Sequence, residues 1–196
     1  NLLKNTIILG LGKILPLIGV FITLPIYTGM LSRKEMGRYD LVTVTVYIIT
    51  VIVTLQIHQA IFRFLIDLRG KEAENTYITN TIIFEFIPSI IASVIFGLTF
   101  HNLPASSRFL LGLYLFLYIQ FEITGQIARG LGKNKVYSIG SFINISLKVI
   151  LMLVLMAGCK LGFNGLFISL TSALFAGIVF QLIACGVNKK IQLHLL

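Results

Sequence analysis

Apolar residues in this chain fall in long unbroken runs, and polar residues collect in the short stretches between them. Crossing a hydrocarbon core takes about 20 apolar residues in a helix. Six runs meet that length: 6–31, 41–66, 77–100, 109–128, 136–157 and 161–187. They are too long for barrel strands and lack strand alternation. The connections "SRKEMGRYD" (32–40), "DLRGKEAENT" (67–76), "HNLPASSR" (101–108), "RGLGKNK" (129–135) and "GCK" (158–160) are short, so consecutive helices should be antiparallel neighbours. The pattern predicts an all-α integral membrane protein, a bundle of six transmembrane helices. The first run is too long for a signal-peptide core and reads as a span.

Composition supports lipid as the main solvent. The chain is 57% hydrophobic with mean hydropathy +0.95, and only 12% of its residues are charged. Soluble domains run near about a quarter charged, which is what covering their surface requires. The net charge of +9 would suggest nucleic acid in a soluble protein. Here the basic residues sit between apolar runs with no aromatic-interleaved stripe, a pattern of membrane topology and headgroup contact rather than of nucleic-acid binding. One side holds both termini and Lys4, Arg69, Lys71, Arg129, Lys133, Lys135, Lys189 and Lys190; the other holds Arg33, Lys34, Arg38, Arg108 and Lys160. This bias predicts that both ends of the chain are cytoplasmic.

Familiar chemical motifs are missing. Cys159 and Cys185 form no CxxC pair and the three histidines are scattered, so neither a metal site nor a bound cofactor is expected. "ARGLGKNK" (128–135) is not a phosphate-binding loop, because Asn134 follows the Gly-Lys pair and Ile127 stands where the earlier glycine is required. "GLGK" (10–13) fails with Ile14 next. The "NIS" sequon at Asn144 lies inside a span. No nucleophile elbow, zinc-helix motif or acidic loop pair suggests an enzyme.

The charges inside the spans carry the functional signal. A charge at the bilayer centre costs roughly 2.5–3.5 kcal/mol on insertion scales, so such residues usually face a partner or water. The chain has Lys13, Arg63, Glu85, Glu122 and Lys148 within its runs. Helical spacing aligns Gln56, Gln59 and Arg63 on one face, Thr81, Glu85 and Ser89 on another, Tyr118, Glu122, Gly125 and Arg129 on a third, and Ser141, Asn144 and Lys148 on a fourth. Ala173, Gly177 and Gln181 line up in the last run. His58 falls off the stripe of its helix and reads as a packing residue. Together the stripes predict a hydrated, slightly cationic cavity lined by Arg63, Gln56, Gln59, Lys148, Asn144, Ser141 and Lys13. Glu85 and Glu122 are candidates to couple a proton or sodium ion. Three structural readings stand beside this one: Arg63 pairing with Asp67, Lys13 snorkelling to headgroups, and the carboxylates joining the lysines as interhelical ties.

The segment "NTIILGLGKILPLIGVFITLPIYTGMLSRKEMGRYDLV" (5–42) resembles the start of polysaccharide biosynthesis membrane proteins, the Wzx-type flippases of the MOP exporter superfamily. Leu31, Ser32, Gly37, Tyr39 and Asp40 carry that likeness. "AIFRFL" (60–65) is similar to the Arg-Phe element closing the family's second helix, with Arg63 and Phe64 in place. "ARGLGKNKVYSIGSFINISLKVILMLVLM" (128–156) resembles its fourth loop and fifth helix, with Arg129, Gly130, Lys133 and Tyr137. The resemblance implies one N-terminal lobe of a MATE-like transporter, its C-terminal lobe absent from this chain. The implied activity is flipping of an undecaprenyl-diphosphate-linked oligosaccharide across the bacterial cytoplasmic (inner) membrane by alternating access. The lipid-linked oligosaccharide, membrane lipids and polysaccharide polymerase machinery are then the expected partners. From the residues alone, another superfamily exporter (a lipid II flippase or multidrug antiporter), a membrane-embedded glycan or lipid transferase and a non-transporting assembly protein also remain open.

Overall fold

The computed structural model describes Gly19 and residues 21–187, apart from the side chain of His58. Lys13 therefore lies outside the described residues. The elements are α1 (Phe21–Met30), α2 (Arg33–Thr54), α3 (Ile57–Leu68), α4 (Ala73–Thr99), α5 (Ala105–Gly130), α6 (Asn134–Met152) and α7 (Gly162–Cys185), with no strand among the described residues. Five of the helices, counting α6 together with the wide turn that ends it, are long and apolar enough to cross a membrane, and α1 is a shorter apolar helix. The chain is an all-α, multi-pass membrane protein. Large apolar side chains point outward along the bundle, as in Phe21 (77% exposed) and Phe109 (70%). In lipid that arrangement carries no hydrophobic penalty.

The helices pack in the order α4, α5, α7, α6, and α2 and α3 cover α4 and α5. Aromatic contacts link four of them. Tyr47 meets Tyr118, Tyr118 meets Tyr114, Tyr114 meets Phe167, Phe167 meets Tyr39, and Tyr39 meets Tyr27, with centroids 5.0–6.2 Å apart. The α4–α5 crossing is closer. Thr81, Glu85, Ser89, Ser93 and Gly97 repeat every four residues along α4 and are all buried. Small and polar side chains on such a row let two backbones approach. Gln120 on α5 donates to the Ser89 hydroxyl across this seam at 3.0 Å.

Two features depart from the hydropathy reading. The charged stretch 33–40 is not a loop but the first two turns of α2. Its start is fixed by a capping box: the Ser32 hydroxyl accepts from the Glu35 amide, and the Glu35 carboxylate accepts from the Ser32 amide at 2.9 Å. Such a pair satisfies amides that no helical carbonyl can reach. Ser32→Ala should lower stability by about 1 kcal/mol, read as a lower thermal midpoint in detergent.

The second departure falls within the run 41–66. That run is not one helix, because Leu55 (φ 46°) and Gln56 (φ 59°) are both left-handed and separate α2 from α3. Non-glycine residues adopt this conformation at a cost of roughly 1–2 kcal/mol each. The Gln59 side-chain amide donates to the Gln56 side-chain oxygen Oε1 at 2.8 Å, which ties the break to the first turn of α3.

Candidate functional site

The end of α5 that meets α6 gathers several polar groups. Arg129, in the last turn of α5, lies over the Phe62 ring of α3 at 4.6 Å and near the Tyr137 ring of α6 at 5.5 Å. Its Nη1 donates to the Gln126 side-chain oxygen Oε1 at 3.0 Å, one turn back on α5. Cation–ring contacts of this kind are worth about 0.5–2 kcal/mol, more when desolvated. Gly125 allows the arrangement, since a Cβ there would stand 3.3 Å from the Tyr137 ring. Arg129 Nε is buried without a partner. Glu122, two turns earlier on α5, is within electrostatic reach of both Arg129 and Tyr137.

The neighbouring basic residues have other work. Arg69 donates from Nε (3.2 Å) and Nη2 to the Gly130 carbonyl, which anchors the end of α3 on the end of α5. Lys133 Nζ donates to the carbonyls of Ala184 (3.1 Å) and Cys185 (3.0 Å), capping the last turn of α7. Cations belong there, because the carbonyl end of a helix is its negative pole. Arg129 is thus the cation at this junction that is held by rings and an amide and keeps a donor unused.

The structure separates the residues expected to line one cavity. Gln56, just before α3, and Gln59 and Arg63 on α3 are exposed, and no hydrogen bond or ring contact among the described residues joins them to Arg129. Ser141 is buried on α6, while Asn144 and Lys148 are half-buried further along the same helix. Gly19 packs against this part of α6, since a Cβ there would meet the Ile145 side chain at 2.6 Å. Glu85 is elsewhere. It is 0% exposed, its stripe is covered by α5 rather than open to a hydrated space, and neither carboxylate oxygen has a hydrogen-bond partner. Because α4 and α6 lie at opposite ends of the row of helices, Glu85 and Lys148 are not neighbours.

Sequence reasoning did not select Arg129 and Gln126 as site residues. Helical spacing does align Arg129 with Glu122 on one face, and the family resemblance includes it, but the cavity lining expected from the sequence contains neither Arg129 nor Gln126. The Thr124 hydroxyl donating to Gln181 Oε1 at 2.6 Å joins α5 to α7 over 57 positions, and no local pattern announces it.

A family model described as "Polysaccharide biosynthesis protein" matches residues 2–192, almost the whole chain. The chain belongs to that family. No curated protein and no solved structure matched. As a member of the polysaccharide biosynthesis family with several membrane-crossing helices, it is a flippase-type membrane protein. Within the family match fall all the groups of the α3–α5–α6 junction.

Proposed function

We propose that this chain is the N-terminal lobe of a transporter that flips an undecaprenyl-diphosphate-linked oligosaccharide across the bacterial cytoplasmic membrane. It works by alternating access against a second lobe and catalyses no bond change. The family match over residues 2–192 carries this reading. The physical chemistry of the α3–α5–α6 junction is compatible with it. A diphosphate needs charge-assisted donors in a partly desolvated site. Arg129, with its unused Nε, offers one, and Arg63 on the exposed face of α3 offers another. Gln56, Gln59, Asn144 and Ser141 carry the amides and hydroxyl that sugar hydroxyls pair with, and Lys148 adds a third cation along α6. Lys13, which lies outside the described residues, is kept as a further candidate to meet the substrate. Both ends of this segment are assigned to the cytoplasm, and a second membrane lobe and the polysaccharide polymerase machinery are assigned as partners.

Glu85 and Glu122 are assigned to ion coupling, by proton or sodium. A carboxyl sealed in the α4–α5 seam without a partner is expensive to keep there for packing alone. The Glu85→Gln, Glu122→Gln double variant is expected to lose transport driven by an ion gradient. Transport equal to wild type across an imposed gradient in proteoliposomes would remove the assignment.

The direct test is complementation. A strain lacking its own oligosaccharide flippase should regain surface polysaccharide when it expresses the full-length protein. Normal membrane insertion without surface polysaccharide, across hosts making different glycans, would count against the reading.

A further inference from the structure

On the outer side of the α4–α5 crossing runs a groove of about 510 Å³. Ile90, Val94, Leu98, Phe109, Leu113 and Phe116 form its walls, and Gly97 and Gly112 lie in its floor. It is apolar except for Ser93 and Arg108. Both carry an unpartnered buried donor: the Ser93 hydroxyl, on a residue only 7% exposed, and Arg108 Nε. In hydrocarbon such a group has no water to turn to, so an orphan donor costs free energy unless an occupant supplies an acceptor.

The two donors stand at different depths. A Cβ on Gly97 would lie 2.9 Å from the Arg108 carbonyl, which sets Arg108 level with Gly97 near the α4–α5 connection. A Cβ on Gly112 would lie 2.7 Å from the Ser93 carbonyl, which sets Ser93 level with Gly112. Each step is four residues of helix, so Ser93 is about 6 Å deeper than Arg108. From the membrane edge inward, the groove presents a cation, then a neutral donor, then apolar walls.

We infer that this groove binds a glycerophospholipid of the surrounding bilayer, with its phosphate on Arg108, an acyl ester carbonyl on Ser93 and an acyl chain along Val94 and Phe116. The order of groups decides the occupant. A glycerophospholipid carries phosphate, ester carbonyl and hydrocarbon in that sequence. A polyprenyl phosphate has no carbonyl below its phosphate and would leave Ser93 unpaired. The inference does not rest on the transport reading, since the groove is separate from the α3–α5–α6 junction.

Native mass spectrometry of the purified full-length protein, titrated with phosphatidylglycerol in mild detergent, tests it. Arg108→Gln should weaken lipid retention about fivefold, the loss of roughly 1 kcal/mol per basic residue at a lipid surface. Ser93→Ala should weaken it about threefold, from loss of one hydrogen bond. Val94→Trp fills the groove from its exposed side and should abolish the tightest binding. Retention unchanged in both Arg108→Gln and Val94→Trp would overturn the inference. So would retention of polyprenyl phosphate as tight as that of phosphatidylglycerol and indifferent to Ser93→Ala. Ser93→Ala removes an unpartnered atom from the seam, so this arm stays readable should another variant fold poorly.

Discussion

Gly112→Val is expected to destabilise the protein by about 3 kcal/mol. The new side chain would meet backbone. A Cβ alone would stand 2.7 Å from the Ser93 carbonyl oxygen and 3.9 Å from the Gly97 Cα, and neither atom can rotate aside. Relief requires α4 and α5 to move apart. The separation would stretch the 3.0 Å Gln120–Ser89 bond and open the lining of Glu85. In lipid, helix association depends on close van der Waals contact and interhelical hydrogen bonds, with no hydrophobic term to compensate. A thermal melt followed by size-exclusion chromatography in detergent measures the loss. Gly29→Ala is the control, because nothing lies within 4 Å of a Cβ there. It should melt at or slightly above wild type, as alanine is the better helix former. A wild-type midpoint for Gly112→Val would show that the α4–α5 seam is slacker than drawn.

Arg129→Ala should reduce transport at least tenfold while the protein still inserts and melts within a few degrees of wild type. The expected size follows from one charge-assisted hydrogen bond in a desolvated site, about 1.5–3 kcal/mol, or ten- to more than a hundredfold. Arg129→Lys separates charge from shape. A planar guanidinium stacks on Phe62 and Tyr137 and still presents donors, whereas an ammonium is a compact point charge that keeps its water. Lysine is therefore expected to restore little activity. Full rescue by lysine would reduce Arg129 to a generic positive charge. A large fall in melting temperature without change in the activity of the surviving protein would make it a structural tie between α3, α5 and α6. Surface polysaccharide in a complemented strain and the melting curve of the same preparation report the two effects.

Hydropathy carried the membrane class and the positions of most helices, because a bilayer demands long apolar runs and tolerates little else. The row Thr81, Glu85 and Ser89 was legible from four-residue spacing, and all three are buried on one face of α4. What covers that face was not legible. Periodicity marks a face as special without saying whether water or another helix lies against it. The start of α2 was written in the sequence as Ser32 with Glu35 three residues on, but the charges of 33–40 looked like loop. The break after Thr54 carries no glycine or proline, and leucine and glutamine are ordinary helix formers, so no local signal marks it. The Arg129 junction needed tertiary information, since Phe62 and Tyr137 lie 67 and 8 positions away on other helices.

The interruption at Leu55 and Gln56 also divides a lever. α3 is fastened to α5 at its far end by Arg69 on the Gly130 carbonyl, and its Ile61 and Leu65 are sunk in the core. α2 is fastened to α5 and α7 by the ring contacts of Tyr47 and Tyr39. A continuous rod would transmit torque between these anchorages. Two short rods meeting at a pair of left-handed residues do not, so a rotation imposed on α2 need not turn Arg63 with it.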